Sequence, residues 1–219
     1  MKMENVISGE NTFTYYLDEY NNNNHTAEIL KPLADKYKDK GSNDIALGLY
    51  KQLIALSNVS KEDYKTAQYN IASLSLENNQ NNYMITYLKD NKEDSNFENG
   101  VYDLINYYKV NQMEVDEIET YTKYLPLLNQ SYNFLNSYAW RMSELSQNLD
   151  DALNKVDMAL ILIGKDHQGY ANILDTKAEV LWKNGDIEDA ISIIDKALTI
   201  DPESEYYKSQ KEKFLQSIN

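Results

Sequence analysis

The stretch Leu174–Pro202, LDTKAEVLWKNGDIEDAISIIDKALTIDP, decides the fold. Two amphipathic helical runs meet at Asn184-Gly185-Asp186, and the second ends at Asp201-Pro202. Alanines stand where the two helices must touch: Ala178 in the first run, Ala190 and Ala197 in the second. A hairpin of this kind cannot bury its apolar face alone, so it predicts neighbours of the same shape.

Those neighbours are visible upstream. Residues 27–57 read as a helical pair, with Leu30, Leu33, Ala34 and Tyr37 on one stripe and Gly41 closing the first helix. Ser42 is the predicted N-cap of the next, whose facing stripe is Ala46, Leu49, Tyr50 and Leu53. Ala34, Gly41, Ala46 and Tyr50 repeat the spacing of Ala178, Gly185, Ala190 and Ile194, 144 residues apart. Residues 132–162 carry the pattern again: Leu135, Tyr138, Ala139 and Met142, then Asn148 as cap, then Ala152, Val156 and Ala159. From Ala139 to Ala178 is 39 residues and from Ala152 to Ala190 is 38, so the turn at Ser146-Gln147 has changed by one residue and lost its glycine.

The remaining segments are weaker copies. Phe13, Tyr16, Leu17 and Tyr20 predict a short helix over 12–20, ended by Asn21–Asn24. Ser60 to Asp63 starts a helix carrying Tyr64, Ala67, Ile71 and Leu74; residues 78–82 are a turn and 83–88 a short helix. The polar stretch Asp90–Asn99 is the expected flexible loop. Residues 97–110 and 114–128 form another pair, Val101, Leu104, Ile105 and Tyr108 facing Val115, Ile118, Tyr121 and Leu125. Asp201 as N-cap and Pro202 in the first turn launch a terminal helix over 203–217 with Tyr206, Tyr207, Phe214 and Leu215. Lys208, Lys211 and Lys213 are expected on its polar outer face. The chain thus divides into 1–26, a short helix and an Asn-rich linker, and 27–219, a helical-repeat domain with clear repeats at 27–60, 132–165 and 171–204 and degenerate pairs over 61–128. The expected fold is an all-α, right-handed α-solenoid of antiparallel hairpins with a terminal capping helix.

Residues 171–204 resemble the tetratricopeptide repeat (TPR), with Leu174, Ala178, Leu181, Gly185, Ala190, Ile194, Ala197 and Pro202 at signature positions. Residues 27–60 resemble it at Leu30, Leu33, Ala34, Tyr37, Gly41, Ala46 and Tyr50 but lack the closing proline. Residues 132–165 resemble it at Leu135, Ala139, Ala152 and Ala159. The resemblance implies a non-catalytic module that binds a peptide or partner protein on a concave groove lined by the first helix of each pair. A narrower likeness lies in ISGENTF leading to LADKYKDKG and in LNSYAWRM followed by NLDDAL. These look like the helical-repeat region that follows the thioredoxin-like domain in some bacterial proteins. The chain departs from that pattern, with no Cys-x-x-Cys and no preceding βαβ segment. Under that likeness it is an accessory domain without its catalytic part. A self-associating scaffold is the third reading.

Composition narrows the partners. Hydrophobic residues at 42% are enough for a core, whereas 7 Gly and 3 Pro are too few for a loop-rich β protein. A net charge of −14 opposes nucleic acid and anionic lipid and favours a basic segment on a partner. No cysteine is present, so there is no disulfide and no thiolate chemistry. The N-terminal MKMENVISGENTF lacks an apolar leader core, which points to a cytoplasmic protein; a periplasmic setting follows if the chain is a piece of a longer one.

Chemistry is sparse. His25 and His167 have no patterned carboxylate partners, Asp150-Asp151 starts a helix, and Glu117 with Glu119 lacks ligand spacing, so no catalytic residue, metal or cofactor is expected. The resemblance places Asn133, Asn136, Ser137 and Trp140 on the inner face of one repeat, and Asn172, Asp175, Thr176, Glu179, Trp182 and Lys183 on that of the next. Asn136, Trp140, Asp175, Glu179 and Trp182 are the candidate partner-binding residues. Tryptophan anchors flanked by carboxylates suit a peptide with Lys or Arg and an apolar side chain; packing of both tryptophans between helices is the equal alternative.

Overall fold

Helix α10 (Tyr170–Asn184) and helix α11 (Ile187–Ile200) form the hairpin on which the repeat reading rests. Ala178, Ala190 and Ala197 are all 0% exposed and share one core with Leu174, Leu181 and Ile194. Gly185 closes α10 at φ +94°, and the Gly185 and Asp186 N–H groups donate to the Trp182 and Leu181 carbonyls at 3.1 and 2.9 Å. That left-handed step satisfies carbonyls the helix end would otherwise strand. The same closure recurs after α2 (Ala27–Asp39), where Gly41 at φ +72° precedes α3 (Asn43–Ile54). It recurs once more between α8 (Tyr132–Leu145) and α9 (Leu149–Ile163), but there Ser146 takes the left-handed position at φ +53°. The inserted residue of that turn is Asn148, itself left-handed at φ +49°. Asparagine tolerates this region better than most side chains. Asn148 holds the expected N-cap position of α9, but its carboxamide contacts the Met142 sulfur instead of a backbone N–H of the helix.

The computed structural model describes residues 9–218, with side chains from Thr12 onward. The leader reading at 1–8 lies outside the described residues. Every regular element among them is helical. The chain forms two compact units, one up to Thr120 and one from Tyr121. The first holds α1 (Gly9–Asn21), α2, α3, α4 (Lys61–Glu77), α5 (Asn82–Asp90) and α6 (Phe97–Val110). The second holds α8 to α11 and α12 (Glu205–Gln216), and α7 (Glu114–Tyr124) carries the division within it. That division falls in the degenerate middle, where the alanine–glycine–alanine template is missing.

The first unit has a core of Leu30, Leu33, Ala34, Ala46, Tyr50, Leu53, Ala67 and Ile71. Phe13, Tyr16, Leu17 and Tyr20 of α1 pack against it, with the Phe13 ring edge-on to Tyr37 at 5.2 Å, so this helix joins the repeat core that the sequence reading began at residue 27. The expected flexible stretch after α5 is pinned instead by Asp94. Its carboxylate accepts from the Tyr87 hydroxyl at 2.8 Å and the Asn96 N–H at 2.9 Å, and pairs with Lys65 at 3.5 Å. Burial opposes its ionisation, but these donors and Lys65 together hold its pKa below the usual value.

Two further expectations are corrected. In α7 the buried positions are Glu117, Thr120, Tyr121 and Tyr124, whereas Val115 is 70% exposed. The large tyrosine rings bury more surface than a valine and turn that face inward. Helix α12 begins after Ser204, whose hydroxyl accepts the Tyr207 N–H at 3.3 Å; Asp201 and Pro202 belong to the preceding turn.

Tyrosines tie the helices together. Tyr50 of α3 donates to Asp35 of α2 at 2.5 Å, Tyr138 of α8 to Asp151 of α9 at 2.8 Å, and Tyr69 of α4 to Asp103 of α6 at 2.9 Å. Burial, then the carboxylate beside each hydroxyl, pushes the Tyr50 and Tyr138 pKa values far above normal, so both stay neutral donors. Tyr64, expected on a packing stripe, is largely exposed.

Ala190→Leu is expected to destabilise the second unit by roughly 1–3 kcal/mol through overpacking at the α10–α11 crossing; an unchanged melting curve would refute the assigned contact. The two turn closures predict opposite responses. Gly185→Ala should lose about 1 kcal/mol or more, whereas Ser146→Gly should gain about 0.5–1 kcal/mol, both read by denaturant titration.

Candidate functional site

The candidate residues of α10 are turned toward α12. Asp175 is 5% exposed and Glu179 8% exposed, one helical turn apart. The Tyr206 hydroxyl donates to Asp175 Oδ2 at 3.1 Å, and Gln210 Nε2 donates to Asp175 Oδ1 at 3.3 Å. Lys213 Nζ pairs with Glu179 Oε2 at 2.5 Å. Trp182 Nε1 donates to Ser217 Oγ at 2.8 Å, its ring lies 5.7 Å from Phe214, and Lys213 sits 4.5 Å above it. Tyr207 donates to Asn172 Oδ1 at 2.5 Å.

The expectation that Asp175, Glu179 and Trp182 face an open groove is therefore corrected: α12 occupies their side of α10. Lys213, expected on an outer face, points inward for the same reason. Tyr207 and Phe214, buried against the α10–α11 core, fix this seat. The sequence concealed it because α12 has few apolar positions and its inward contacts are mostly polar.

Burial dominates at Asp175 and raises its pKa, against the hydrogen bonds from Gln210 and Tyr206; Glu179 raises it further and Lys213 opposes. The same carboxylate, after burial, helps push the Tyr206 hydroxyl up to about 12. A buried carboxylate with neutral donors is an expensive group for a fold to keep.

Asn136 has a different setting. With Asn133 and Tyr132 of α8, Ile163 of α9, His167 and Gln168 of the connector, and Asn172 and Ile173 of α10, it lines a cleft of about 430 Å³. The Asn136 Oδ1 is buried and has no hydrogen-bond partner. His167 Nδ1 accepts the Gly169 N–H at 3.0 Å, and its ring lies 5.7 Å from Tyr132. The neutral lining of this cleft contrasts with the charge of −14 carried by the whole chain. The resemblance to the tetratricopeptide repeat had singled out Asn133 and Asn136; the contributions of Tyr132 and Gln168 needed the tertiary fold. Trp140, one turn beyond Asn136, is half-buried and donates from Nε1 to Glu144 at 3.1 Å.

Other polar side chains have structural duties. His25 stacks on Tyr20 at 4.5 Å, and Asp151 pairs with Lys155 at 2.9 Å besides accepting from Tyr138. Glu117 is buried and Glu119 exposed, so they do not converge. Among the described residues no three His, Asp or Glu side chains group as a metal site, and no helix is long and apolar enough to cross a membrane.

No family model and no curated protein matches the chain. Solved structures share its fold. YrrB, described as a TPR protein with an unusual peptide-binding site, is 16% identical, with a TM-score of 0.61 over 91% of this chain and 97% of that one. BtubC from P. vanneervenii is 16% identical, with a TM-score of 0.63 over 89% of each chain. MamA is 13% identical, with a TM-score of 0.58 over 85% of this chain and 94% of that one. The helical-hairpin repeat expected from the sequence is thus the observed fold.

The raised Asp175 pKa has a definite sign. Its contribution favours folding below the ordinary aspartate value and is lost as pH rises through the raised one. Asp175→Asn is expected to raise the Tm at pH 7 by a few degrees, with the difference shrinking as pH falls through that range. A lower Tm for the variant at pH 7 would show that the charge stabilises the fold.

Proposed function

We propose that the chain is a non-catalytic protein-interaction module that receives an extended peptide or partner segment on the α8–α10 side of its second unit. The observation that carries this is Asn136. Its carboxamide oxygen is buried without a partner at the wall of a cleft shared with Asn133 and Asn172. Buried polar atoms in proteins are nearly always paired, and an unpaired one calls for an explanation. Rotation of the Asn136 amide breaks no intramolecular bond at its oxygen, so the group is available to a ligand's main chain. Carboxamides suit that task, because each offers both a donor and an acceptor to a peptide unit.

Trp140 supplies an aromatic anchor one turn away, half-buried and polarised by Glu144. Asp175, Glu179 and Trp182 form the acidic and aromatic part of the same candidate set, held by α12 in this structure. With a net charge of −14, the chain draws a partner with Lys or Arg more strongly than an acidic one. The peptide-binding site named for YrrB supports the class of ligand. With no cysteine in the chain, thiol chemistry, if any accompanies this module, resides in another polypeptide or another segment.

Selection of phage-displayed 12-residue peptides on the immobilised full chain, followed by anisotropy titration of the winners, tests this reading. Trp140→Ala should weaken binding by ~2 kcal/mol. Asn136→Ala should also weaken it while leaving the Tm unchanged or higher, because an unpaired buried carbonyl costs roughly 1–3 kcal/mol. Selected peptides that bind both variants as tightly as the original chain would refute it.

A further inference from the structure

The seat of α12 on α10 carries an imbalance. Two carboxylates, Asp175 and Glu179, are buried one turn apart, yet among the described residues a single cation, Lys213, pairs with either of them. Asp175 is hydrogen-bonded by neutral donors alone, Tyr206 and Gln210. Gln210 Nε2 stands 3.3 Å from Asp175 and 3.5 Å from Glu179, where a cationic side chain would complete the pairing. Helix α12 buries only Tyr207, Gln210 and Phe214 of its twelve residues, whereas α10 buries nine of its fifteen. Elements with few buried apolar side chains open at low free energy. The link Asp201–Ser204 is exposed over its first three residues, so α12 can lift away while the α10–α11 hairpin stays closed.

We infer that the α10 face formed by Asn172, Asp175, Glu179 and Trp182 is a receptor for a basic amphipathic helix with cations at two successive turns and an aromatic anchor, and that α12 is its resident, exchangeable occupant. The partner's pattern follows from α12 itself: an aromatic residue matching Tyr207, Lys or Arg at the places of Gln210 and Lys213, and Phe at that of Phe214. A helix with the second cation pairs both carboxylates, where α12 pairs one. It must also overcome the tether, which holds α12 at an effective concentration on the order of millimolar. This face meets the Asn136 cleft at Asn172, which borders both, but the inference rests on the α12 contacts of Asp175 and Glu179 and does not depend on the cleft.

Labelled 16-residue peptides spanning residues 203–218, one native and one with Gln210→Arg, are titrated into the full chain and followed by anisotropy and hydrogen exchange. The arginine peptide is expected to bind about tenfold tighter than the native one, to weaken with added salt, and to lose its advantage on Asp175→Asn. Binding should speed exchange of α12 amides without protecting α8, which separates this face from the cleft. Gln210→Arg within the chain should slow α12 exchange and prevent binding in trans. Phe214→Ala, which loosens α12, should bind both peptides more tightly than the original chain does. Equal affinity of the two peptides for both the original chain and Phe214→Ala, or an undiminished preference on Asp175→Asn, would overturn the inference.

Discussion

The close crossing of paired helices at alanine is the constraint on which the rest depends. Ala34 and Ala46, Ala139 and Ala152, and Ala178 and Ala190 are all fully buried in their hairpins. A side chain of one carbon lets two backbones approach, and only a close approach brings the flanking leucines, isoleucines and tyrosines into contact at interior density. The left-handed closures at Gly41, Ser146 and Gly185 serve the same end, returning the chain at once so that the second helix lies along the first. Where both devices fade, across the middle of the chain, the division into two units appears.

A second layer of organisation is polar. Tyrosine rings fill space that aliphatic residues would otherwise take, and their hydroxyls reach carboxylates on the neighbouring helix: Tyr50 to Asp35, Tyr69 to Asp103, Tyr138 to Asp151. These bonds have directional requirements that apolar packing lacks, so they select one pairing of helices among several of similar burial. The α10–α12 contact belongs to this scheme but exceeds it, since Asp175 and Glu179 crowd two charges where the other hairpins place one.

The two candidate surfaces of the second unit differ in physical character. The Asn133, Asn136 and Asn172 cleft is lined by carboxamides and holds no Asp, Glu, Lys or Arg. The Asp175–Glu179–Trp182 face is acidic and aromatic, and it is covered. The α8–α9 and α10–α11 hairpins hold the residues of both, the first surface open and the second closed by α12.

The helical hairpins, their alanine crossings and their turns were legible in the sequence because each is a local pattern of period, small residues and turn formers. The one-residue change at Ser146–Asn148 could be counted before any coordinates, since inserting a residue alters spacing whatever the surroundings. Asn136 was singled out by the resemblance to the tetratricopeptide repeat and not by the local pattern itself. Local pattern did not carry which side of α10 would be covered, the rotation of α7 that buries Glu117 and exposes Val115, or the inward turn of Lys213. Those were decided by tertiary structure: they follow from competition among distant side chains for the same buried volume, with Tyr207 and Phe214 seating α12 over carboxylates that the repeat resemblance had assigned to an open groove.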